Sequence, residues 1–122
     1  MLKDGGQTWQ EWLEGFGLPA YDESTVPEDA PLPRITYSWA ETELDAPTSI
    51  PVSLWYRAKG WKDITQKAEE FFDGIGYGGK TIKTDDGYLW VLRGSPFYQR
   101  VTDEDDGIRR IVLNITVEHL RT

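Results

Sequence analysis

Few residues in this 122-residue chain are of a type that does chemistry. His119 is the single histidine, and there is no cysteine. One imidazole without a thiol cannot build a Cys–His pair, nor a multi-histidine or thiolate metal centre. Residues 74–81, GIGYGGKT, carry the letters of a phosphate-binding loop, with Lys80 in the lysine position. Such a loop works when a strand precedes it and a helix follows, so that the helix N-terminus faces the phosphates. Here the helical pattern comes first and TIKTDDGY reads as strand and turn, which predicts a helix stop rather than a nucleotide site. Asp103, Glu104, Asp105 and Asp106, followed by Gly107, suggest calcium, but a calcium loop alternates its oxygen ligands, with Gly sixth and Glu twelfth. In this run the carboxylates are consecutive, the glycine is fifth and Asn114 stands in place of the glutamate. A solvated acidic turn is the better reading. No catalytic, cofactor-binding or metal-binding residue is expected, and no enzymatic activity.

The elements that would position any site follow from periodicity. Residues 8–16 read as a short amphipathic helix, with Trp9, Trp12, Leu13 and Phe16 on one face and Thr8 and Glu11 spaced as a capping box. Residues 21–33 hold Asp22, Glu23, Glu28 and Asp29 among three prolines and read as an extended loop. Residues 35–39 and 50–57 alternate with period two, and the acidic stretch 41–49 between them reads as a hairpin loop. A second helix begins at the Asp63–Gln66 capping-box spacing and buries Ile64, Ala68, Phe71, Phe72 and Ile75, ending in the glycines from Gly74 to Gly79. Strands at 80–84 and 88–93 flank Asp85-Asp86-Gly87, a hairpin signal, and residues 109–119 alternate most regularly of all. The predicted order is α-β-β-α-β-β-β. It gives a single α+β domain over 1–122, with a largely antiparallel sheet of about four to five strands and two helices packed on one face.

The formal net charge is -8, from 21 acidic and 13 basic residues. A surface of this sign disfavours grip on a phosphate backbone or an anionic membrane. No run approaches the ~20 apolar residues that span a bilayer, and the opening MLKDGGQTW lacks the apolar core of a signal peptide. The expected setting is a cytoplasm, or a particle assembled in one.

Contact surfaces are more promising than active sites. Of six tryptophans, Trp39 and Trp90 are in phase with apolar neighbours and are expected to be buried. Trp55 is out of phase with Leu54 and Tyr56; it is either an interface residue or covered by its own domain. The corner 93–100, RGSPFYQR, combines Gly94, which permits a sharp bend, with Pro96, which lacks a donor. It is expected to leave the sheet and present Arg93, Phe97, Tyr98 and Arg100. The alternative is that Phe97 and Tyr98 cover one end of the sheet.

Four segments taken in order, VPEDAPLPRITYSW (26–39), SLWYRAKGWKDITQKAEEFFDGIG (53–76), GYLWVLRGSPFYQR (87–100) and DDGIRRIVLNITVEHL (105–120), resemble the tail terminator, or tail-completion, proteins of long-tailed phages of Gram-positive bacteria. The resemblance is a pattern of segments without a catalytic signature, and other neck or minor capsid proteins can look alike at this level. It implies an α+β virion protein, assembled in the host cytoplasm, that forms a hexameric ring on the head-proximal end of the tail tube. Its partners would be further copies of itself, the tail tube protein and a head connector or stopper, with DNA passing through the centre unbound and no membrane involved. The implied ring makes the turn Asp103, Glu104, Asp105, Asp106 a lumen or rim element. A competing expectation from the tryptophans is a small carbohydrate-binding module, which predicts exposed rings in one plane and a stable monomer.

Overall fold

The alternation of residues 109–119 becomes the strand around which the others assemble. The computed structural model describes residues 4–40 and 47–121. Its elements are α1 (Gly5–Glu14), β1 (Ala20–Asp22), β2 (Arg34–Tyr37), β3 (Thr48–Ser49), β4 (Val52–Arg57), α2 (Lys62–Ile75), β5 (Lys80–Lys83), β6 (Gly87–Val101) and β7 (Ile108–Arg121). The strands form one seven-stranded sheet in the order β1-β2-β4-β7-β6-β5, with β3 also pairing β7. β7 therefore has β6 along one side and β4 followed by β3 along the other.

The expected sheet of four to five largely antiparallel strands is thus corrected to a mixed, curled sheet of seven strands resembling half a barrel. Two short strands account for the difference. β1 pairs parallel with β2, an arrangement that needs the 23–33 loop to carry the chain back to the start of β2. β3 occupies two residues of the stretch expected to be loop; residues 41–46 of that stretch lie outside the described residues.

The sheet has two unlike faces. Ile35, Tyr37, Val52, Leu54, Ile111, Leu113, Ile115, Leu89 and Val91 face the helices and are buried in one core cluster. Their neighbours Thr36, Ser53, Trp55, Arg110, Val112, Trp90 and Tyr88 project from the other side, as the period-two pleat demands. Trp90 is on this outer side and is 37% exposed, which corrects the expectation that it is buried.

The helices bury most of the stripes that the sequence marks, with Trp12 and Phe72 partly buried and Phe16 just beyond α1, but neither starts as expected. α1 is capped by Asp4, whose carboxylate accepts from the Gln7 N–H at 2.8 Å, so Thr8 lies inside the helix. α2 has Trp61 at its N-cap with no side-chain cap bond. The helices meet through aromatic rings: Phe16 stacks on Phe71 at 3.8 Å between centroids, and Trp12 meets Phe71 edge-on at 6.0 Å. Trp9, Leu13, Ile64, Ala68, Phe71 and Ile75 complete the core beneath them.

The corner around Pro96 does not leave the sheet. β6 runs through it, and the register slips so that Gly94, Ser95, Pro96 and Phe97 stand opposite Asn114 alone. The Asn114 Nδ2 donates to the Pro96 carbonyl at 2.7 Å and pins this bulge. Gly94 is required there, because a Cβ would fall 2.7 Å from the Asn114 carbonyl oxygen.

Candidate functional site

The bulge sorts the corner residues differently from the sequence expectation. Phe97 turns inward, 8% exposed, and meets Phe72 and Tyr98 edge-on, so it is core and not a presented anchor. Tyr98 packs against the core and donates its hydroxyl to Glu69 Oε1 at 3.3 Å. Arg93 closes the end of α2: its Nε and Nη2 donate to the Phe72 carbonyl at 2.9 and 2.6 Å, and the guanidinium lies 3.4 Å from the Phe72 ring centroid. A cation on the last carbonyls of a helix is favoured by the helix dipole and needs no partner protein to explain it. Arg100 alone of the four is exposed, lying over Trp61 at 4.7 Å, with Arg109 at 5.4 Å from the same ring.

Trp55 lies on the outer face between two arginines. The register sets Arg34, Trp55 and Arg110 side by side across β2, β4 and β7 on the outer face. The two guanidinium carbons lie 5.9 and 4.6 Å from the Trp55 ring centroid, and the indole N–H donates to Thr36 Oγ1 at 2.9 Å. Arg110 donates to Ser53 Oγ from Nε and Nη2, and Arg34 donates from Nη1 to the Ala30 carbonyl at 2.8 Å, while its buried Nε has no acceptor. Neither arginine has a carboxylate partner among the described residues. Two cations and an aromatic ring are thus held in a fixed geometry on the face that carries no helix. Period-two phase identifies Trp55 in the sequence; the flanking arginines come from distant strands and leave no local signal.

The acidic turn is organised by its own backbone. Asp103 Oδ1 accepts from the Asp105 N–H at 2.9 Å, and Asp105 Oδ1 from the Gly107 N–H at 2.8 Å. Asp105 also lies 3.8 Å from Arg57, a pair exposed on both sides. Glu104 and Asp106 point to solvent. Among the described residues no cluster of three or more His, Asp or Glu side chains converges as a metal site would need.

His119 meets the carboxylate of Asp86. Its Nε2 is 3.0 Å from Asp86 Oδ1, which also accepts from the Thr84 hydroxyl at 3.0 Å; Arg121 Nε is 3.2 Å from Asp86 Oδ2. The Thr84 hydroxyl reaches the carboxylate on the same oxygen as the imidazole. The cluster ties the β5–β6 turn to the end of β7. Partial burial pushes the Asp86 carboxyl up, but the hydrogen bonds from Thr84 and His119 and the charges of His119 and Arg121 outweigh it and hold the group below the usual carboxylate value. Asp22 is likewise lowered, by the Ser24 hydroxyl and then the Ser24 N–H. Burial raises the phenols of Tyr37 and Tyr56, helped by Asp22 and Glu14 at the first and by Glu70 and Asp63 at the second.

The phosphate-loop letters fall as the sequence order predicts, with α2 before the glycines and β5 after them. A shallow depression of about 250 Å³ on α1 is lined by Gln7, Gln10, Glu11 and Glu14. Among the described residues no helix is long and apolar enough to cross a membrane. Comparison of the chain with protein-family models, with curated proteins and with solved structures yields no match.

Proposed function

We propose that this chain is a structural virion protein that caps the head-proximal end of a phage tail tube as a ring, ending tube growth and joining tail to head. The reading starts from the ordered resemblance of four segments to tail terminators. The observation that carries it furthest is the Arg34–Trp55–Arg110 row on the helix-free face. Arginine and tryptophan are the residue types most enriched at interface hot spots, and these cations have no internal counter-charge among the described residues. A ring needs two different surfaces of one subunit to meet. In a protein with net charge -8, a neighbouring subunit readily supplies carboxylates to such a row. The acidic turn at 103–106 suits a channel wall or rim that DNA passes without sticking.

The test is to carry Arg34→Glu with Arg110→Glu in the phage that encodes the chain. The expected outcome is a folded protein that fails to cap, with tail tubes of irregular length by electron microscopy. Normal tail lengths remove this row from the interface, and tails of normal length in a phage deleted for the gene remove the terminator reading itself. A head–tail neck or minor capsid role would instead leave capped tails that do not join heads.

A sugar-binding module is the second reading, because Tyr88 and Trp90 lie two residues apart on one face of β6, 38% and 37% exposed. It predicts quenching or shift of tryptophan fluorescence by oligosaccharides, lost in Trp90→Ala.

A further inference from the structure

The two edges of the sheet are finished in opposite ways. At β1, bonds from Ile35 N–H to Pro19 O and from Glu23 N–H to Tyr37 O face β2, which turns Ala20 and Asp22 outward. One outward backbone group of each is already occupied. The Ala20 N–H reaches Glu14 Oε2 at 3.4 Å, and the Asp22 carbonyl accepts from the Thr25 N–H at 3.0 Å and from its hydroxyl. β5 has no such cover. The Thr84 N–H to Gly87 O bond sets the phase of the β5–β6 hairpin, so Ile82 and Lys80 bond toward β6. The N–H and C=O groups of Thr81 and Lys83 then point away from the sheet, and no backbone group of a described residue meets them. Around this open edge lie the exposed large side chains of the described chain: Tyr77 at 99%, Tyr88 and Trp90.

We propose that β5 pairs with β5 of a second copy, antiparallel about a two-fold axis at Ile82. The outward phase allows three symmetric registers, and the side chains select one. Centring on Lys83 sets that lysine against itself. Centring on Thr81 sets Lys80 against Ile82 and Lys83 against Gly79. Centring on Ile82 sets Thr81 opposite Lys83 and Lys80 opposite Thr84, and brings the one apolar side chain of β5 against its own copy. Four backbone hydrogen bonds then form between the Thr81 and Lys83 groups of the two chains.

Charge supports the same register. Lys80 and Asp85 are both exposed, and neither has an ion-pair partner among the described residues. Antiparallel pairing lays each Lys80 beside the turn that carries Asp85 in the other copy, twice by symmetry. The copy's turn also comes alongside Gly78 and the exposed Tyr77. Edge lysines ordinarily deter pairing because a copy brings like charge opposite; in this register each lysine faces a threonine. The contact goes beyond the terminator reading and uses none of the surfaces proposed for ring closure.

The chain has no cysteine, so single introduced cysteines report the register. Directly opposed residues of a non-hydrogen-bonded pair have Cα atoms about 4.5 Å apart, within disulfide reach. Ile82→Cys should therefore oxidise mainly to a disulfide dimer. Thr81→Cys alone and Lys83→Cys alone should stay mainly without a cross-link on a non-reducing gel, while the two mixed should give a cross-linked mixed dimer. Adding Thr81→Pro to Ile82→Cys removes only an outward N–H, so circular dichroism should be unchanged and the dimer lost. A monomeric Ile82→Cys protein, equal cross-linking at positions 81, 82 and 83, or a dimer that survives Thr81→Pro would each overturn the pairing. Tail capping is measured separately on phage, so failure of this contact and failure of the terminator reading are told apart.

Discussion

Arg93 and Phe72 are joined twice: the guanidinium donates two hydrogen bonds to the Phe72 carbonyl and lies 3.4 Å from the centroid of the Phe72 ring. One side chain of β6 thereby fixes the last turn of α2 to the sheet. Arg93→Ala should cost about 1.5–3 kcal/mol, the range for hydrogen bonds made by a charged group. Arg93→Lys keeps the charge at the helix end but loses the fork, and should recover only part of it. Urea unfolding midpoints check both. An unchanged midpoint in Arg93→Ala would return this residue to the list of interface candidates.

The bulge makes a second prediction. A methyl group on Gly94 would crowd the Asn114 backbone at 2.7 Å, so Gly94→Ala should destabilise by roughly 1–3 kcal/mol through overpacking. Asn114→Ala loses the bond to the Pro96 carbonyl and should cost about 1 kcal/mol. If thermal melts show both variants at the wild-type midpoint, the bulge does not hold β6 in register.

Acid should weaken the fold through Asp86 and Asp22. Both carboxyls are held below their ordinary value of 3.8 in the folded chain. Their stabilisation is therefore complete above that value and is lost as pH falls below it through the lowered folded values. Asp86→Asn should flatten the acid limb of a stability–pH curve. A variant curve parallel to the wild type below pH ~4 would contradict the assignment.

Alkali acts in the opposite sense on Tyr37 and Tyr56, whose folded values lie above 10.0. Their contribution is present below 10.0 and is lost as pH rises through the raised values. Tyr37→Phe should remove its part of the alkaline decline, at the expense of the 2.8 Å bond to Gln10 Oε1. Chemical unfolding followed between neutral pH and pH ~11 tests the sign.

The parts of the fold that could be read from sequence are those in which one period governs several residues. The alternation of β4 and β7, the α2 stripe from Ile64 to Ile75 and the Asp85-Asp86-Gly87 turn all appear where expected. β1 was illegible because its three residues show no alternation, and its place depends on parallel pairing with β2. The inward turn of Phe97 is hidden from the sequence for a different reason. Extra residues in one strand reset which face the side chains take, and only the partner strand reveals where that reset occurs. Trp90 has apolar neighbours in Leu89 and Val91, but these point to the other face. At the candidate interface, Trp55 could be singled out by phase, whereas Arg34 and Arg110 reach it only through sheet pairing.

The position of β7 has a consequence for biosynthesis. It is the axis of the sheet, yet it follows every other element of the described residues. Until β7 emerges, β4 and β6 lack their shared neighbour and their apolar faces have no complete layer to join. Nascent chains should therefore remain protease-sensitive until β7 emerges and gain resistance in that step. Mixed topologies with such distant pairings fold slowly and expose strand edges meanwhile. The unfinished polypeptide, more than the finished protein, is the species that molecular chaperones would need to shield.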